Sequence, residues 1–293
     1  MVNKKKLAQY NSSVWAEATS DWLERKQDHN YRSVLVHPAI RKAVLNVNLI
    51  TGIIADIGCG DGSEAKTIVE AVRNAKNVQD GLDWPENTHP KTRSLQYFGY
   101  DPNAKFIEMA RNTYEGDHLP VSIHCSFHSG NIEDFVQEND LEDNCDLVTS
   151  LFVLQDIPDY ENHIALLAKC ARSGGISLAV VVHPGFGRAM LEKDAFESYK
   201  EPWDEQFYGK YPIVEESRPP FFVPYFHRPL QYYTYVFEKK FVIEGINSLQ
   251  PDEAQMSKCI TERISPFYPH EHNVYWPEII SMPSSVLIKA RKK

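Results

Sequence analysis

Segments typical of strands and of helices alternate along most of the sequence, and this order limits the folds that the chain can adopt. Five runs have strand length, the third of them more polar than the others: residues 52–57, 95–100, 121–127, 145–151 and 176–182. Three intervening stretches carry apolar residues at helical spacing: residues 63–74, 104–114 and 160–172. Such alternation requires crossover connections, so we expect a doubly wound, mostly parallel α/β sheet.

The flanking segments differ from this pattern. Residues 6–48 predict two or three helices, with Pro38 in the first turn of the last one. Residues 241–249 and 285–290 alternate like strands, and we expect them to pair antiparallel and complete the sheet. Residues 185–240 hold 15 of the 34 aromatic residues with little periodicity. That segment predicts a cap or lid rather than another sheet layer.

Composition excludes several classes of protein. The formal net charge of -9 repels phosphate backbones and anionic membrane surfaces, so we do not expect nucleic acid as a partner. No apolar run reaches the length of a membrane span, and no apolar stretch follows the first lysines as in a signal peptide. We therefore expect a cytoplasmic protein. Five scattered cysteines without a CxxC pair indicate reduced thiols rather than a disulfide framework or a zinc ribbon.

The first predicted strand ends in a glycine-rich turn, ADIGCGDG, at residues 55–62. Glycines allow the backbone to adopt positive φ angles and to approach a ligand closely. A dinucleotide-binding fingerprint would need G-x-G-x-x-G and an acidic residue about twenty positions later. Here the spacing is G-x-G-x-G, Asp56 precedes the glycines, and the next acid at a strand end is Asp101. This disfavours a nicotinamide oxidoreductase, which remains an alternative.

Polar residues stand where the predicted strands end: Asp56, Asp101, Asn131, Ser150 and His183. Ligands of open α/β sheets bind outside the carboxyl ends of the strands. We therefore expect the ligand site at this edge.

Four motifs in order resemble those of class I S-adenosylmethionine-dependent methyltransferases, in the small-molecule group that includes ubiquinone-biosynthesis-type enzymes. They are ADIGCGDG at 55–62, YFGYDPNAKFIEMA at 97–110, GNIEDF at 130–135 and CDLVTSLFVLQDIPD at 145–159, and a looser match follows at 171–184. Two features depart from the family: residues 77–93 form a polar insertion, and Asn131 stands where many relatives carry aspartate.

The resemblance implies a seven-stranded Rossmann-like sheet, S-adenosylmethionine as cofactor with S-adenosylhomocysteine as product, a small-molecule methyl acceptor, and a monomer or homodimer. It divides one domain, residues 1–293, into a helical lid (1–48), a cofactor-binding core (49–184), a cap (185–240) and C-terminal strands (241–293). An inactive relative that serves as a partner subunit remains an alternative.

By the same resemblance, Gly58, Cys59, Gly60 and Asp61 would cradle the methionine part of the cofactor. Asp56 would hold its ammonium group, directly or through water. Asp101 would accept two hydrogen bonds from the ribose diol, because a carboxylate offers two oxygens. Residues at the other strand ends and on the first helix complete the implied cofactor set: Pro102 and Ile132 around the adenine, Asn131 at its edge, Ser150 and Leu151 through their backbone, and Tyr10 closing over the cofactor.

Residues after the fifth strand are candidates for the acceptor side. His183 follows this strand directly and is the first candidate for a general base, with His227 as the second. Arg228 could hold an acidic substrate group. Phe222, Tyr225 and Phe226 would line a pocket for an apolar or aromatic-bearing acceptor. We expect no metal, because the histidines at 270 and 272 lack a third ligand at a usual spacing.

Overall fold

The structure is a computed structural model and describes residues 14–16, 18–19, 32–45, 47, 50–74, 95–114, 123–186, 207–215, 218–254 and 283–293. The strands are β1 Ile53–Ile57, β2 Leu95–Tyr100, β3 Ile123–His128, β4 Cys145–Leu151, β5 Ala171–Val182, β6 Phe207–Glu215, β7 Arg218–His227, β8 Phe241–Leu249 and β9 Ser285–Lys292. The helices are α1 His37–Val44, α2 Ala65–Asn74, α3 Ala104–Tyr114, α4 Ile132–Glu138, α5 Tyr160–Cys170 and α6 Leu230–Lys240.

Seven strands form one sheet in the order β3-β2-β1-β4-β5-β9-β8. The first five are parallel, while β9 runs antiparallel to both β5 and β8. This confirms the predicted parallel α/β sheet with an antiparallel pair at the C-terminal end. Strands β2 and β4 have the predicted bounds, whereas β5 begins five residues earlier than its apolar run, at Ala171.

Alternate residues of the central strands enter two apolar clusters, one on each face of the sheet. In β1, Ile53, Ala55 and Ile57 belong to one cluster and Ile54 to the other. Because side chains of a strand alternate between faces, a strand that is buried throughout must be covered by helices on both sides. Packing on both faces holds the central strands in place, and it thereby positions the polar residues at their ends.

The predicted cap contains regular structure that its low periodicity did not indicate. Strands β6 and β7 form a separate two-stranded antiparallel sheet, and α6 follows it. The prolines at 212, 219, 220 and 224 obscured these strands in the sequence. In a two-stranded sheet both strands are edges, which tolerate proline because half of their amides need no partner within the sheet.

A helical segment lies directly before β1 in the sequence. A π-helical stretch, Arg32–Val36, continues into α1, which has Pro38 in its first turn as predicted. Among the described helices, none is long and apolar enough to cross a membrane.

Candidate functional site

The glycine-rich turn after β1 is bonded to the end of β2. The amides of Gly58 and Cys59 donate to the Tyr100 carbonyl oxygen at 2.7 and 3.0 Å. Gly58, Gly60 and Gly62 all have positive φ angles of 88°, 56° and 74°. Among the described residues, a Cβ atom at Gly58 would lie 2.3 Å from Val153 Cγ2, whereas one at Gly60 would have no neighbour within 4 Å. The turn is therefore closed on its Gly58 side and open above Gly60.

Asp101 follows β2 and lies beside this opening. Its Oδ2 accepts a hydrogen bond from the Gly60 amide at 3.0 Å, and its Oδ1 accepts one from the Asn103 amide at 2.8 Å. The two oxygens are thus not free, as the ribose prediction assumed, but each retains a second lone pair for a diol. Burial raises the pKa of Asp101 to about 6, although both amide hydrogen bonds oppose this shift.

Asp56 is more enclosed than the resemblance implies. Its side chain is almost fully buried, with the residue only 1% exposed, and it accepts hydrogen bonds from the Tyr97 hydroxyl at 2.6 Å and from Thr149 Oγ1 at 2.7 Å. Burial raises the pKa of this carboxyl. A direct contact between Asp56 and an ammonium group is therefore not favoured, because the carboxylate has almost no surface to offer.

Asn131, which the resemblance places at the edge of the adenine, is the N-cap of α4. Its Oδ1 accepts hydrogen bonds from the amides of Glu133 and Asp134 at 2.7 and 3.2 Å. The prediction that Asn131 offers both a donor and an acceptor is corrected, since only the Nδ2 donor remains available. Pro102 is exposed and Ile132 is partly exposed, so both retain surface for a planar ligand.

Cys59, Ser150 and Leu151 are all buried, so their side chains offer little surface to a ligand. Ser150 Oγ lies 2.9 Å from His163 Nε2, and burial lowers the pKa of that histidine to about 4. Asp61 stays partly exposed, and its Oδ1 accepts a hydrogen bond from the Ser63 amide at 3.3 Å. Tyr10 lies outside the described residues.

His183 follows β5 as predicted, but its hydrogen bonding argues against a general base. The Gly185 amide donates to His183 Nδ1 at 3.1 Å. A ring nitrogen that accepts a hydrogen bond carries no proton, so the neutral ring bears its proton on Nε2. Burial lowers the pKa of His183, which also favours the neutral form. In this arrangement His183 offers a donor, and it would have to release Gly185 to accept a proton there.

The predicted acceptor residues on β7 are mostly buried. Tyr225, Phe226 and His227 are 4%, 7% and 8% exposed. The Tyr225 hydroxyl lies 3.5 Å from His227 Nδ1, which is at the outer limit of a hydrogen bond. Phe222 lies in the same strand, and its side chain is outside the described part of the chain.

Arg228 has a different role from the one predicted. Its guanidinium is buried and donates to the carbonyl oxygens of Leu154 and Ile157 at 2.8 Å each. It also lies over the Tyr160 ring, with Cζ 4.5 Å from the ring centroid. The guanidinium therefore fixes the loop after β4 and has no accessible edge for an acidic substrate group.

An ion-pair network beside the glycine turn was missed by the sequence reasoning. Glu64 follows the turn directly, is buried, and pairs with Arg32 at 2.8 Å and His37 at 2.7 Å. Although burial alone would raise it, these two partners lower the pKa of Glu64 to about 2. The network ties the helical segment before β1 to the turn. No sequence spacing signals this pairing, since 27 residues or more separate the partners.

Metal ligation finds no support in the described residues, which hold no group of three or more histidine, cysteine or acidic side chains that could bind an ion. The histidines at 270 and 272 lie outside these residues.

Comparison with known proteins agrees with this architecture. Residues 85–179 match the family model described as a methyltransferase domain. The matched range begins after the glycine turn. No match was found among the curated proteins.

Several solved structures have a similar fold. An S-adenosylmethionine-dependent methyltransferase from Mesorhizobium loti is 16% identical with a TM-score of 0.50, over 87% of this chain and 96% of that chain. One from Clostridium acetobutylicum is 12% identical with a TM-score of 0.50, over 96% and 99% of the two chains. The N-methyltransferase NodS from Bradyrhizobium japonicum, in complex with S-adenosylhomocysteine, is 11% identical with a TM-score of 0.51, over 98% of each chain. At these identities the likeness concerns the fold.

Proposed function

We propose that this chain, whose fold is that of the class I S-adenosylmethionine-dependent methyltransferases, transfers the methyl group of S-adenosylmethionine to a small apolar or aromatic-bearing metabolite. The open face of the glycine turn carries this proposal. Gly60 has a positive φ angle, no described atom lies within 4 Å of the position that a Cβ atom would take there, and its amide is bonded to Asp101. A ligand lying there can place its methionine part over the turn and its ribose on Asp101.

When bound, the cofactor supplies an electrophilic methyl group on a sulfonium leaving group. The remaining contribution of the protein is to align the acceptor and to exclude water. The end of β7 supports this role, because the amide of Phe226 donates to the Gln155 carbonyl oxygen at 2.6 Å. The cap is thereby joined to the loop after β4. His183 would orient the acceptor through its Nε2 proton rather than remove a proton.

An apolar or aromatic acceptor is supported by the composition of the cap. Residues 185–240 hold 15 of the 34 aromatic residues of the chain. Such side chains provide large and rigid contact area for planar ligands.

Heat protection distinguishes this proposal from its alternatives. We expect S-adenosylmethionine and S-adenosylhomocysteine to raise the melting temperature of the protein, and a nicotinamide dinucleotide to leave it unchanged. Protection by the dinucleotide alone would favour an oxidoreductase. Incubation with methyl-labelled S-adenosylmethionine and a panel of small metabolites should then transfer label to one of them. Binding of the cofactor with no labelled product from any compound class would favour a partner subunit without activity.

A further inference from the structure

The loop after β4 holds an acidic residue, Asp156. Gln155 Nε2 donates to Asp156 Oδ1 at 3.1 Å, and the Asp156 amide donates to the Val153 carbonyl oxygen at 2.8 Å. No group in the described part of the chain forms a hydrogen bond with Asp156 Oδ2. One oxygen of the carboxyl is thus held in place, and the other is available to a ligand.

Contacts of the same loop place Asp156 between the cofactor turn and the cap. On one side, Val153 fills the space against Gly58, where a Cβ atom would lie 2.3 Å from it. On the other side, Phe226 donates to the Gln155 carbonyl oxygen, and Arg228 donates to the carbonyl oxygens that flank Asp156 in the loop. Ligands of open α/β sheets bind outside the carboxyl ends of the strands, and this loop lies there, next to the cap, so a methyl acceptor beside the proposed cofactor site would lie near Asp156.

Asp156 is partly exposed and lies among charged and titratable groups. It keeps partial solvent exposure, yet burial raises the pKa of its carboxyl well above the usual range. Charged and titratable groups face it from three sides: Arg32 before α1, Arg228 and Tyr225 at the end of β7, and Tyr233 on α6. Arg32 is bonded to Glu64, and Arg228 to backbone carbonyls. Asp156 is therefore close to cations that have other partners.

We infer that Asp156 contacts the reacting atom of the methyl acceptor and takes up its proton through Oδ2. This inference rests on the proposed function. The lone pair of an acceptor oxygen or nitrogen forms the bond to the methyl carbon. The carbon–sulfur bond breaks with its electron pair returning to sulfur, and the proton of the acceptor passes to the carboxylate. The acceptor class is then a small molecule whose reacting oxygen or nitrogen carries a hydrogen.

Two cofactor analogues test this position without knowledge of the acceptor. Sinefungin carries a protonated amine on the carbon that replaces sulfur, whereas S-adenosylhomocysteine has a neutral sulfur there. An acid beside the transferred methyl group would pair with that amine. We expect the wild-type protein to bind sinefungin more tightly than S-adenosylhomocysteine in calorimetry. Asp156→Asn should lower this preference about tenfold, the loss expected for one charge-assisted hydrogen bond.

Further variants make the result specific. The affinity for S-adenosylhomocysteine should stay within about twofold in Asp156→Asn, which serves as an internal test of folding. Glu161→Gln, a loss of one exposed negative charge on α5, should leave the preference unchanged. Asp156→Glu should retain part of the preference for sinefungin that Asp156→Asn loses. A wild-type protein without the preference, or a preference that Asp156→Asn does not alter, would overturn the inference. A wild-type protein that binds neither analogue would instead overturn the proposed function.

Discussion

Asp146 near the amino end of β4 and Asp56 near the carboxyl end of β1 are buried carboxylates in neighbouring strands, but their partners differ. Asp146 accepts hydrogen bonds from the three successive amides of residues 50–52 at 2.7 to 2.9 Å, and it is paired with Arg172. Asp56 accepts hydrogen bonds from two hydroxyl groups, and burial raises its pKa. Asp146 thus pairs directly with a cation, whereas both hydrogen-bond donors to Asp56 are neutral hydroxyl groups.

This difference supports the proposal that the ligand binds at the carboxyl end of the sheet. Asp101 also lies at the carboxyl end with a raised pKa, beside an open glycine turn. Acids that lack a direct cationic partner leave negative potential where a ligand with a sulfonium and an ammonium group would bind. At the amino end no ligand is expected, and the full set of partners contributes only to stability. The comparison predicts that equal changes at the two ends have unequal effects on cofactor binding.

Gly60→Val and Gly174→Val form the pair with the largest expected difference. Both glycines have positive φ angles, 56° and 73°, and Gly174 lies at the amino end of β5. Each substitution should destabilise the fold by about 1–2 kcal/mol, because side chains are disfavoured at such angles. Only Gly60→Val also fills the cofactor space, so we expect it to abolish binding of S-adenosylhomocysteine in calorimetry. Equal affinities in the two variants would show that the turn is not the cofactor cradle.

Asp101→Ala should have the next largest effect on affinity. It would remove the two charge-assisted hydrogen bonds that we propose between Asp101 and the ribose, each worth about 1.5–3 kcal/mol, so the dissociation constant of S-adenosylhomocysteine should rise at least about 100-fold. Chemical unfolding should show that the variant remains folded. An unchanged affinity would remove the ribose assignment and leave Asp101 as a support for the Gly60 amide alone.

Asp146→Ala tests the opposite end. The substitution removes the carboxylate that accepts three amide hydrogen bonds and pairs with Arg172, and we expect the free energy of unfolding to fall by about 3 kcal/mol. The affinity of the folded protein for S-adenosylhomocysteine should be unchanged. Glu138→Ala, an exposed acid at the end of α4, is the matched control and should change stability by less than about 0.5 kcal/mol. A loss of affinity in Asp146→Ala would show that the two ends are coupled.

The smallest expected effect is a pH dependence of binding. The pKa of Asp101 is about 6, and only its charged form accepts both diol hydrogens. The dissociation constant of S-adenosylhomocysteine should therefore rise as the pH falls below about 6, by at most about tenfold per pH unit, and stay level above about 7. Titration calorimetry between these values would measure it, and Asp101→Asn should bind with little dependence on pH.

The sign for stability is opposite in the ligand-free protein. The folded state holds this proton more tightly than the unfolded state does, because the pKa is raised from 3.8 to about 6. The contribution of Asp101 to stability is therefore complete below the lower value and is lost as the pH rises through the higher one. If both affinity and stability fell as the pH was lowered from about 6 to 3.8, another titrating group would be responsible.

Much of the fold follows from local sequence patterns. Strands β2 and β4 were predicted at their bounds because they are continuous apolar runs between turn residues. Helix α4 was missed although Asn131 is an N-cap residue followed by two acids in the first turn. Helix α6 was missed although Tyr233, Val236 and Phe237 are spaced as on one face. The β6–β7 hairpin was missed because its prolines are usual in loops.

The candidate site was less predictable than the fold. Strand-end positions made Asp101 and the glycine turn candidates for the site, but they do not reveal which side chains already have partners. Asp56 and Arg228 were expected to contact ligands, whereas the structure gives them protein partners from other strands and loops. Those contacts join residues that are 41 to 93 positions apart. Only the folded chain brings them together.

The placement of β9 between β5 and β8 affects how the protein can be made. Residues 285–292 fill the gap between two strands that are synthesised earlier, so the sheet stays open until this segment has left the ribosome. During that interval both β5 and β8 present unpaired edges, which can pair with other chains. A nascent chain stalled before Ser285 should therefore aggregate or recruit chaperones. Completion of the sheet depends on β9, the last strand to be synthesised.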